Sequence, residues 1–205
     1  MTNWTDRSNY LAMKRTHKKD EIVQAGLDMF LTKGFNATGI ESILKEANVP
    51  KGSFYNFFAS KEEFGLAAID LYLSEMAALR QPAMEDFSLP PLVRIRKAFE
   101  VLISRFESNN CSKGCLVANL GLEMSDQSEV FRTRLDAALQ AWTNSLAAIL
   151  EEARAQGTLH IAVEPMMLAE NLVSSFEGAL LRAKVKKSAE PLRNFIHLYF
   201  EVFLA

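Results

Sequence analysis

The chain has 205 residues, of which 49% are hydrophobic and 23% are charged. This composition supplies enough apolar material for one large domain, or for a small domain joined to a larger one. No uncharged apolar run reaches the roughly 18 residues that a membrane span requires, and the polar start MTNWTDRSNY is unlike a signal peptide. Two cysteines, Cys111 and Cys115, are too few for a secreted disulfide scaffold, so we expect a cytoplasmic protein.

The net charge of −2 conceals an asymmetry along the chain. Residues 1–61 contain nine Lys or Arg against six Asp or Glu, a balance of +3, whereas the remainder contains fourteen against nineteen, a balance of −5. A mildly basic front end permits an anionic partner there without requiring one. Within it, we expect residues 1–17 to form a flexible arm; a minor-groove contact by Lys14 and Arg15 is the alternative.

The first two predicted helices follow this arm. From about residue 18 to residue 33, apolar side chains recur at three- and four-residue steps, which predicts a helix that Gly34 ends. Thr38 followed by Glu41 predicts a capping box, in which each side chain satisfies a free backbone N–H at the start of the next helix. That second helix is expected to be short.

The stretch ANVPKGSFYNFFASKEEF, residues 47–64, predicts a tight turn followed by a third helix. Pro50 suits the first turn of a helix because its fixed φ angle is helical and its missing N–H is not needed there. Ser60 followed by Glu63 predicts another capping box, which opens a fourth helix that extends to about residue 79.

Three prolines in QPAMEDFSLPP predict a boundary near residue 80, so that residues 18–64 form a first domain and residues 80–205 a second one. Apolar stripes with helical spacing then predict five further helices, near residues 92–106, 115–124, 127–156, 165–185 and 192–204. The predicted fold class is therefore all-α, with about nine helices.

Two short helices joined by a tight turn fit a helix-turn-helix, whose second helix enters the major groove of DNA. The residue types suit that role, because a glycine lets the backbone approach DNA, hydroxyl groups offer hydrogen bonds, and lysines and a helix N-terminus attract phosphates. We therefore predict that DNA is contacted by Thr38, Lys51, Gly52, Ser53, Tyr55, Asn56 and Lys61.

The segment ATGIESILKEANVPKGSFYNFFASKEEF closely resembles the DNA-binding region of the TetR family of bacterial repressors, and the likeness extends from about Ile22 to Leu73. The resemblance implies a ligand-responsive transcriptional regulator, a repressor released from its operator by a small effector or by thiol modification. Asn56 stands where the family very often has His, and Ala59 where a polar or basic residue is common. These departures affect phosphate contacts or base preference rather than the fold.

The resemblance also implies that residues 80–205 form a helical ligand-binding and dimerisation domain, whose last two helices pair across a two-fold axis. A symmetric dimer would present two recognition helices to a pseudo-palindromic operator. The last predicted helix is apolar nearly all round, which supports such a partner surface independently. The predicted interface residues are Leu172, Phe176, Leu180, Phe195, Tyr199 and Phe203. Those on the helix near residues 165–185 also fit an intramolecular core.

The effector site is predicted from aromatic and methionine side chains. Phe99, Phe106, Met124 and Trp142 are candidates to line an apolar pocket, although residues at helical spacing more often belong to the core. Few charges lie on the inferred inner faces, which favours a small apolar or uncharged effector.

The segment NNCSKGCLVANLGLEMSD resembles the corresponding region of NemR-type members of the same family, in which a Gly-Cys-Leu segment carries a cysteine that senses electrophiles or oxidants. The matching residue is Cys115. Lys113 and a nearby helix N-terminus would favour its reactive thiolate. The alternative is that Cys115 packs as a small hydrophobic residue.

No nucleophile–base pair, carboxylate pair, phosphate loop or metal-binding motif is visible, and the three histidines are scattered. We therefore expect no enzymatic activity, no cofactor and no metal. The expected partners are double-stranded DNA, a small apolar or electrophilic effector and a second copy of the chain. The alternatives are a helical dimeric small-molecule-binding protein, or an enzyme that does not act on DNA, and a binding protein that uses its first domain for protein contacts.

Overall fold

The computed structural model describes the backbone of residues 4–204 and the side chains of residues 18–50 and 52–204. Over these residues the fold is all-helical and contains no β-strand, which confirms the predicted fold class. The elements are α1 (Trp4–Lys33), α2 (Ile40–Glu46), a 3₁₀ helix (Lys51–Asn56), α3 (Lys61–Met84), α4 (Pro91–Ser108), α5 (Leu116–Met124), α6 (Glu129–Ala155), α7 (Pro165–Lys186), α8 (Glu190–His197) and a π-helical segment (Leu198–Phe203). Among the helices described, none is long and apolar enough to cross a membrane.

Helix α1 begins at Trp4, earlier than the start near residue 18 that the sequence predicts. The proposed minor-groove contact of Lys14 and Arg15 concerns side chains that lie outside the described residues. Helix α3 also extends further than predicted, to Met84, and includes Pro82 in its last turn. The chain divides into two compact units, Met1–Tyr72 and Leu73–Ala205, so the division falls inside α3.

The first unit is built around an aromatic cluster. Phe64 is fully buried, and its ring centroid lies 5.7 Å from that of Phe30, 5.5 Å from that of Phe54 and 5.0 Å from that of Phe58. Aromatic pairs at these separations pack edge to face and add stability beyond the area that they bury. Gly26 on α1 makes room for this ring, since a Cβ atom there would stand 2.2 Å from the Phe64 Cζ atom.

The turn between α2 and the 3₁₀ helix is a Schellman motif. The Val49 N–H donates to the Leu44 carbonyl at 2.9 Å, and the Asn48 N–H donates to the Lys45 carbonyl at 3.2 Å. Asn48 adopts a left-handed backbone with φ of 52°, which asparagine tolerates better than most residues. Val49 and Leu44 are both buried, which supplies the apolar contact typical of this motif.

One of the two predicted capping boxes is wrong. The N-cap of α2 is Gly39, and no side chain caps it. The Thr38 hydroxyl instead donates to the Gly34 carbonyl at 2.7 Å, which closes the connection between α1 and α2. The other predicted box is confirmed in one of its two bonds, because the Ser60 hydroxyl accepts the Glu63 N–H at 3.0 Å. The Glu63 carboxylate accepts the N–H of Ala59, one residue before the predicted Ser60.

The second unit packs α4, α6, α7 and α8 around Phe99, which is fully buried. Its ring centroid lies 4.9 Å from that of Phe176, 5.0 Å from that of Phe195 and 5.8 Å from that of Trp142. Helix α5 packs on α6 and leaves a gap between α5, α6 and α7, which is described below.

Candidate DNA-binding surface and effector pocket

The 3₁₀ helix divides its side chains between the interior and solvent. Phe54 is fully buried in the aromatic cluster, whereas Tyr55 is 69% exposed and its ring stands edge-on to that of Phe54. Asn56 is also exposed, and Ser53 is half-buried. No atom lies within 4 Å of the position that a Cβ atom on Gly52 would occupy. The 3₁₀ helix is therefore anchored through its buried side and presents hydrogen-bonding groups on an unobstructed outer face.

The remaining predicted DNA contacts have different environments. Thr38 is fully buried, and its hydroxyl is committed to Gly34, so the structure contradicts a phosphate contact through this side chain. Lys61 is half-buried; its ammonium donates to the Phe35 carbonyl at 2.6 Å and lies 4.3 Å from the centre of the Phe35 ring. The side chain of Lys51 lies outside the described residues.

A cavity of about 840 Å³ lies between α5, α6 and α7 in the second unit. A cavity of this size accommodates a small organic molecule. The apolar part of its wall comes from all three helices. It includes Val117, Leu122, Leu135, Leu139, Val173 and Leu181, and the polar part includes Cys115, Asn119, Thr143, Glu177 and Lys184.

Cys115 is held at the cavity wall by an irregular segment. It is the N-cap residue of α5, and the preceding Lys113 and Gly114 have positive φ angles of 65° and 80°. The Lys113 carbonyl accepts hydrogen bonds from Asn119 at 3.0 Å and from the Lys184 ammonium at 3.1 Å. These two bonds fix the strained segment, and with it the position of Cys115.

The partner of the Cys115 thiol is an acid. The thiol hydrogen-bonds to the Glu177 carboxylate, and burial raises the pKa of Glu177, with the bond from Cys115 opposing that shift in part. Among the described residues, Glu177 forms no ion pair with a lysine or an arginine. The Lys184 ammonium, which lines the same cavity, is directed at the Lys113 carbonyl.

Of the predicted pocket residues, one lines this cavity and four do not. Cys115 lines the cavity, but Phe99, Phe106 and Met124 are buried in the core, and Trp142 packs against Phe99 and the Arg80 guanidinium outside the cavity wall. Their helical stripes face the centre of the bundle rather than the gap beside α5. Glu177 was missed: it lies on the same helical face as Val173 and Leu180, but Glu170 and Lys184 recur on that face at seven-residue steps, so the sequence does not single it out.

The predicted dimer residues are also largely internal. Leu172, Phe176, Leu180, Phe195 and Tyr199 are each no more than 8% exposed within a single chain, so they form the core. Phe203, by contrast, is 53% exposed. Other exposed apolar side chains on the last elements are Met166, Met167, Leu181 and Val185 on α7 and Leu198 and Val202 in the π-helical segment.

The described residues contain no group of His, Cys, Asp and Glu side chains that could hold a metal ion. Both cysteines are free thiols.

Two family models match the chain. Residues 22–68 match the model described as bacterial regulatory proteins, tetR family, and residues 91–199 match the tetracyclin repressor-like C-terminal domain. The first match contains the helix-turn-helix, and the second contains the cavity and the exposed apolar residues of α7. Together, the fold and these matches define a helix-turn-helix transcriptional regulator.

Similar proteins cover nearly the whole chain. The HTH-type transcriptional repressor DhaR of Mycobacterium sp. (strain GP1) is 33% identical over 192 residues, which cover 94% of this chain and 95% of DhaR. The crystal structure of a TetR regulatory protein from Rhodobacter sphaeroides has 38% identity and a TM-score of 0.85, and the match covers 91% of this chain and 98% of that one. The reduced form of Escherichia coli NemR has 32% identity and a TM-score of 0.78, over 91% of this chain and 97% of that one.

The chain belongs to the TetR family of bacterial transcriptional regulators. Members of this family bind operator DNA, respond to small-molecule effectors, are typically dimers and are not enzymes.

Proposed function

We propose that this protein is a homodimeric repressor whose two 3₁₀ helices read a pseudo-palindromic operator. The observation that carries the proposal is the division within the 3₁₀ helix, where Phe54 is anchored in the aromatic cluster and Tyr55 is exposed beside it. A rigid base and an exposed polar face are what a recognition element in the major groove requires.

Within this surface, each residue has a different role. Tyr55, Ser53 and Asn56 supply hydroxyl and amide groups for bases or phosphates, and Gly52 leaves room for the DNA backbone. Lys51 contributes positive charge. Lys61 remains a candidate phosphate contact, although its ammonium already supports the turn at Phe35.

The test is fluorescence anisotropy with labelled DNA from upstream of the protein's own gene, over a series of salt concentrations. We expect a specific complex that weakens as salt rises, because phosphate contacts release counterions. Tyr55→Ala should lower the affinity about tenfold, which corresponds to about 1.4 kcal/mol. Phe87→Ala is the matched control, because Phe87 is an aromatic residue that is 77% exposed and lies in the second unit. Equal losses for both variants, or none for Tyr55→Ala, would refute the proposed surface.

We propose further that the cavity beside α5 receives the effector, either as a small apolar ligand or as a compound that modifies Cys115. The apolar walls and the thiol at the cavity surface support both routes. The similarity to NemR, for which a reduced form is described, supports the thiol route. Effector binding would favour a dimer state in which the two recognition helices no longer match the operator spacing.

Cys115→Ser separates the two routes. We expect this variant to bind DNA as the wild type does, and to lose the release that thiol-reactive compounds cause. Cys111→Ser serves as the control, since Cys111 does not line the cavity. Release that persists in Cys115→Ser would remove the thiol route and leave reversible ligand binding.

The dimer is proposed to form through the exposed apolar residues of α7 and the π-helical segment. Exposed apolar side chains on the last elements of a chain are typical of a self-association surface.

A further inference from the structure

The cavity beside α5 contains a second functional group that faces the thiol. Cys115 and Glu177 come from different helices, line the same cavity and hydrogen-bond to each other. We infer that Glu177 is the proton acceptor for Cys115, so that this pair forms a site for small uncharged electrophiles such as electron-poor alkenes. The inference deepens, and rests on, the proposed thiol route of effector sensing.

The arrangement of charges around the thiol supports this role. In many reactive sites a neighbouring cation stabilises a preformed thiolate. Here the Lys184 ammonium donates to the Lys113 carbonyl, and one polar group that contacts the thiol is the Glu177 carboxylate. A carboxylate cannot stabilise a preformed thiolate, but it can accept the proton as the sulfur reacts.

The environment of Glu177 makes its carboxylate a stronger base. Burial raises the pKa of its carboxyl group, and no described lysine or arginine pairs with it to reverse that effect. A carboxylate with an elevated pKa accepts a thiol proton more readily than one exposed to water.

The chemical step is balanced without any further reactant. The S–H bond of Cys115 breaks and its proton passes to the Glu177 oxygen, while the sulfur forms a bond to the β-carbon of the alkene. The electron pair of the C=C bond moves to the α-carbon, which then takes the proton from Glu177. The product is a thioether, Glu177 regains its charge, and no oxidant or reductant is consumed.

The experiment measures alkylation of each cysteine by acrylamide, a small uncharged electron-poor alkene. The rates are followed by peptide mass spectrometry between about pH 6 and pH 9, a range that brackets the ordinary pKa of a cysteine. Cys111 provides an internal control in the same molecule, because it is half-buried but does not line the cavity.

In the wild type, we expect the Cys115 rate to fall by much less than about tenfold per pH unit toward about pH 6.5, because Glu177 accepts the proton as the sulfur reacts. In Glu177→Gln, the Cys115 rate at that pH should fall at least about tenfold, since a general base typically contributes about a hundredfold or more. The Cys111 rate should be unchanged, and the two proteins should converge near pH 9.

Two results would overturn the inference. One is a Cys115 rate in Glu177→Gln that equals or exceeds the wild-type rate at about pH 6.5. The other needs no variant: a wild-type Cys115 rate that rises about tenfold per pH unit up to the ordinary range of a thiol would mean that only free thiolate reacts. The second measurement keeps the inference testable if Glu177→Gln does not fold.

DNA binding measured on the same samples separates this inference from the proposed function. Glu177-dependent alkylation that leaves DNA binding intact would support the pair and refute the thiol route of release. If alkylation releases the protein from DNA, but Cys115 is alkylated at the same rate in the wild type and in Glu177→Gln, the result would support the thiol route and refute the role of Glu177.

Discussion

Gly26→Ala tests whether the aromatic cluster holds the DNA-binding unit together. In the interior of α1, alanine should gain about 1 kcal/mol over glycine from helix propensity. The new Cβ atom, however, would stand 2.2 Å from Cζ and 2.5 Å from Cε1 of Phe64. That ring is fully buried against three other phenylalanine rings and cannot rotate into open space. Overpacking of this kind costs about 3 kcal/mol at the upper end of its usual range.

The net effect is a destabilisation of about 2 kcal/mol, which corresponds to a fall of about 10 °C in the melting temperature of a unit of this size. Circular dichroism during heating measures it, and DNA binding should be lost at the lower temperature. Gly52→Ala is the control in the same unit, because its Cβ atom meets no atom within 4 Å. The Gly52→Ala protein should have the melting temperature of the wild type but should bind DNA less tightly than the wild type.

A Gly26→Ala protein that is as stable as the wild type would refute the packing argument. A second result would also refute it. Phe64→Leu, introduced into the Gly26→Ala protein, should restore stability, since the smaller side chain removes the ring atoms that the Cβ atom meets; a failure to do so would contradict the argument.

Three further predictions concern the second unit. Glu152→Ala should destabilise it by about 3 kcal/mol in urea unfolding, because the guanidinium of the buried Arg94 loses its ionic partner, and Arg94→Met in the same protein should restore most of the loss. Glu177→Gln should raise the melting temperature at about neutral pH, because folding disfavours the ionised form of the half-buried Glu177. Since burial raises the pKa of Glu177, the difference should vanish as the pH falls below the ordinary range of a glutamate and both side chains are neutral. Phe203→Asp should weaken dimerisation at least about tenfold in analytical ultracentrifugation, whereas Val130→Asp, at a residue of similar exposure, should leave it unchanged.

The DNA-binding unit was largely predictable because its signals are local. The capping box of Ser60 and Glu63 depends on residues within one turn, and the sequence around Asn48 carries its own turn chemistry. Thr38 shows the limit of such reasoning. Its spacing to Glu41 is that of a capping box, but the N-cap of α2 is Gly39, one residue later. The Thr38 hydroxyl donates to the Gly34 carbonyl instead.

The effector pocket and the dimer surface were not predictable in the same way. Helical spacing identifies which residues share a face of a helix, but not whether that face meets a neighbour, a cavity or solvent. Phe99 and Leu135 both belong to apolar stripes, yet only Leu135 lines the cavity, because its position depends on how α5 packs beside α6 and α7. On α7, Leu180 is core and its neighbour Leu181 is 56% exposed. Such differences arise from packing between helices that are distant in sequence.

The 3₁₀ geometry of the recognition helix explains why the residue at position 52 matters. With three residues per turn, side chains three positions apart lie directly above one another. Position 52 therefore lies in the same row as Tyr55, the most exposed aromatic of the unit among the residues described. Neither the backbone nor any neighbouring atom of the fold requires glycine at position 52. If Tyr55 contacts DNA as proposed, a side chain at position 52 would stand in the path of that approach, which would account for the glycine.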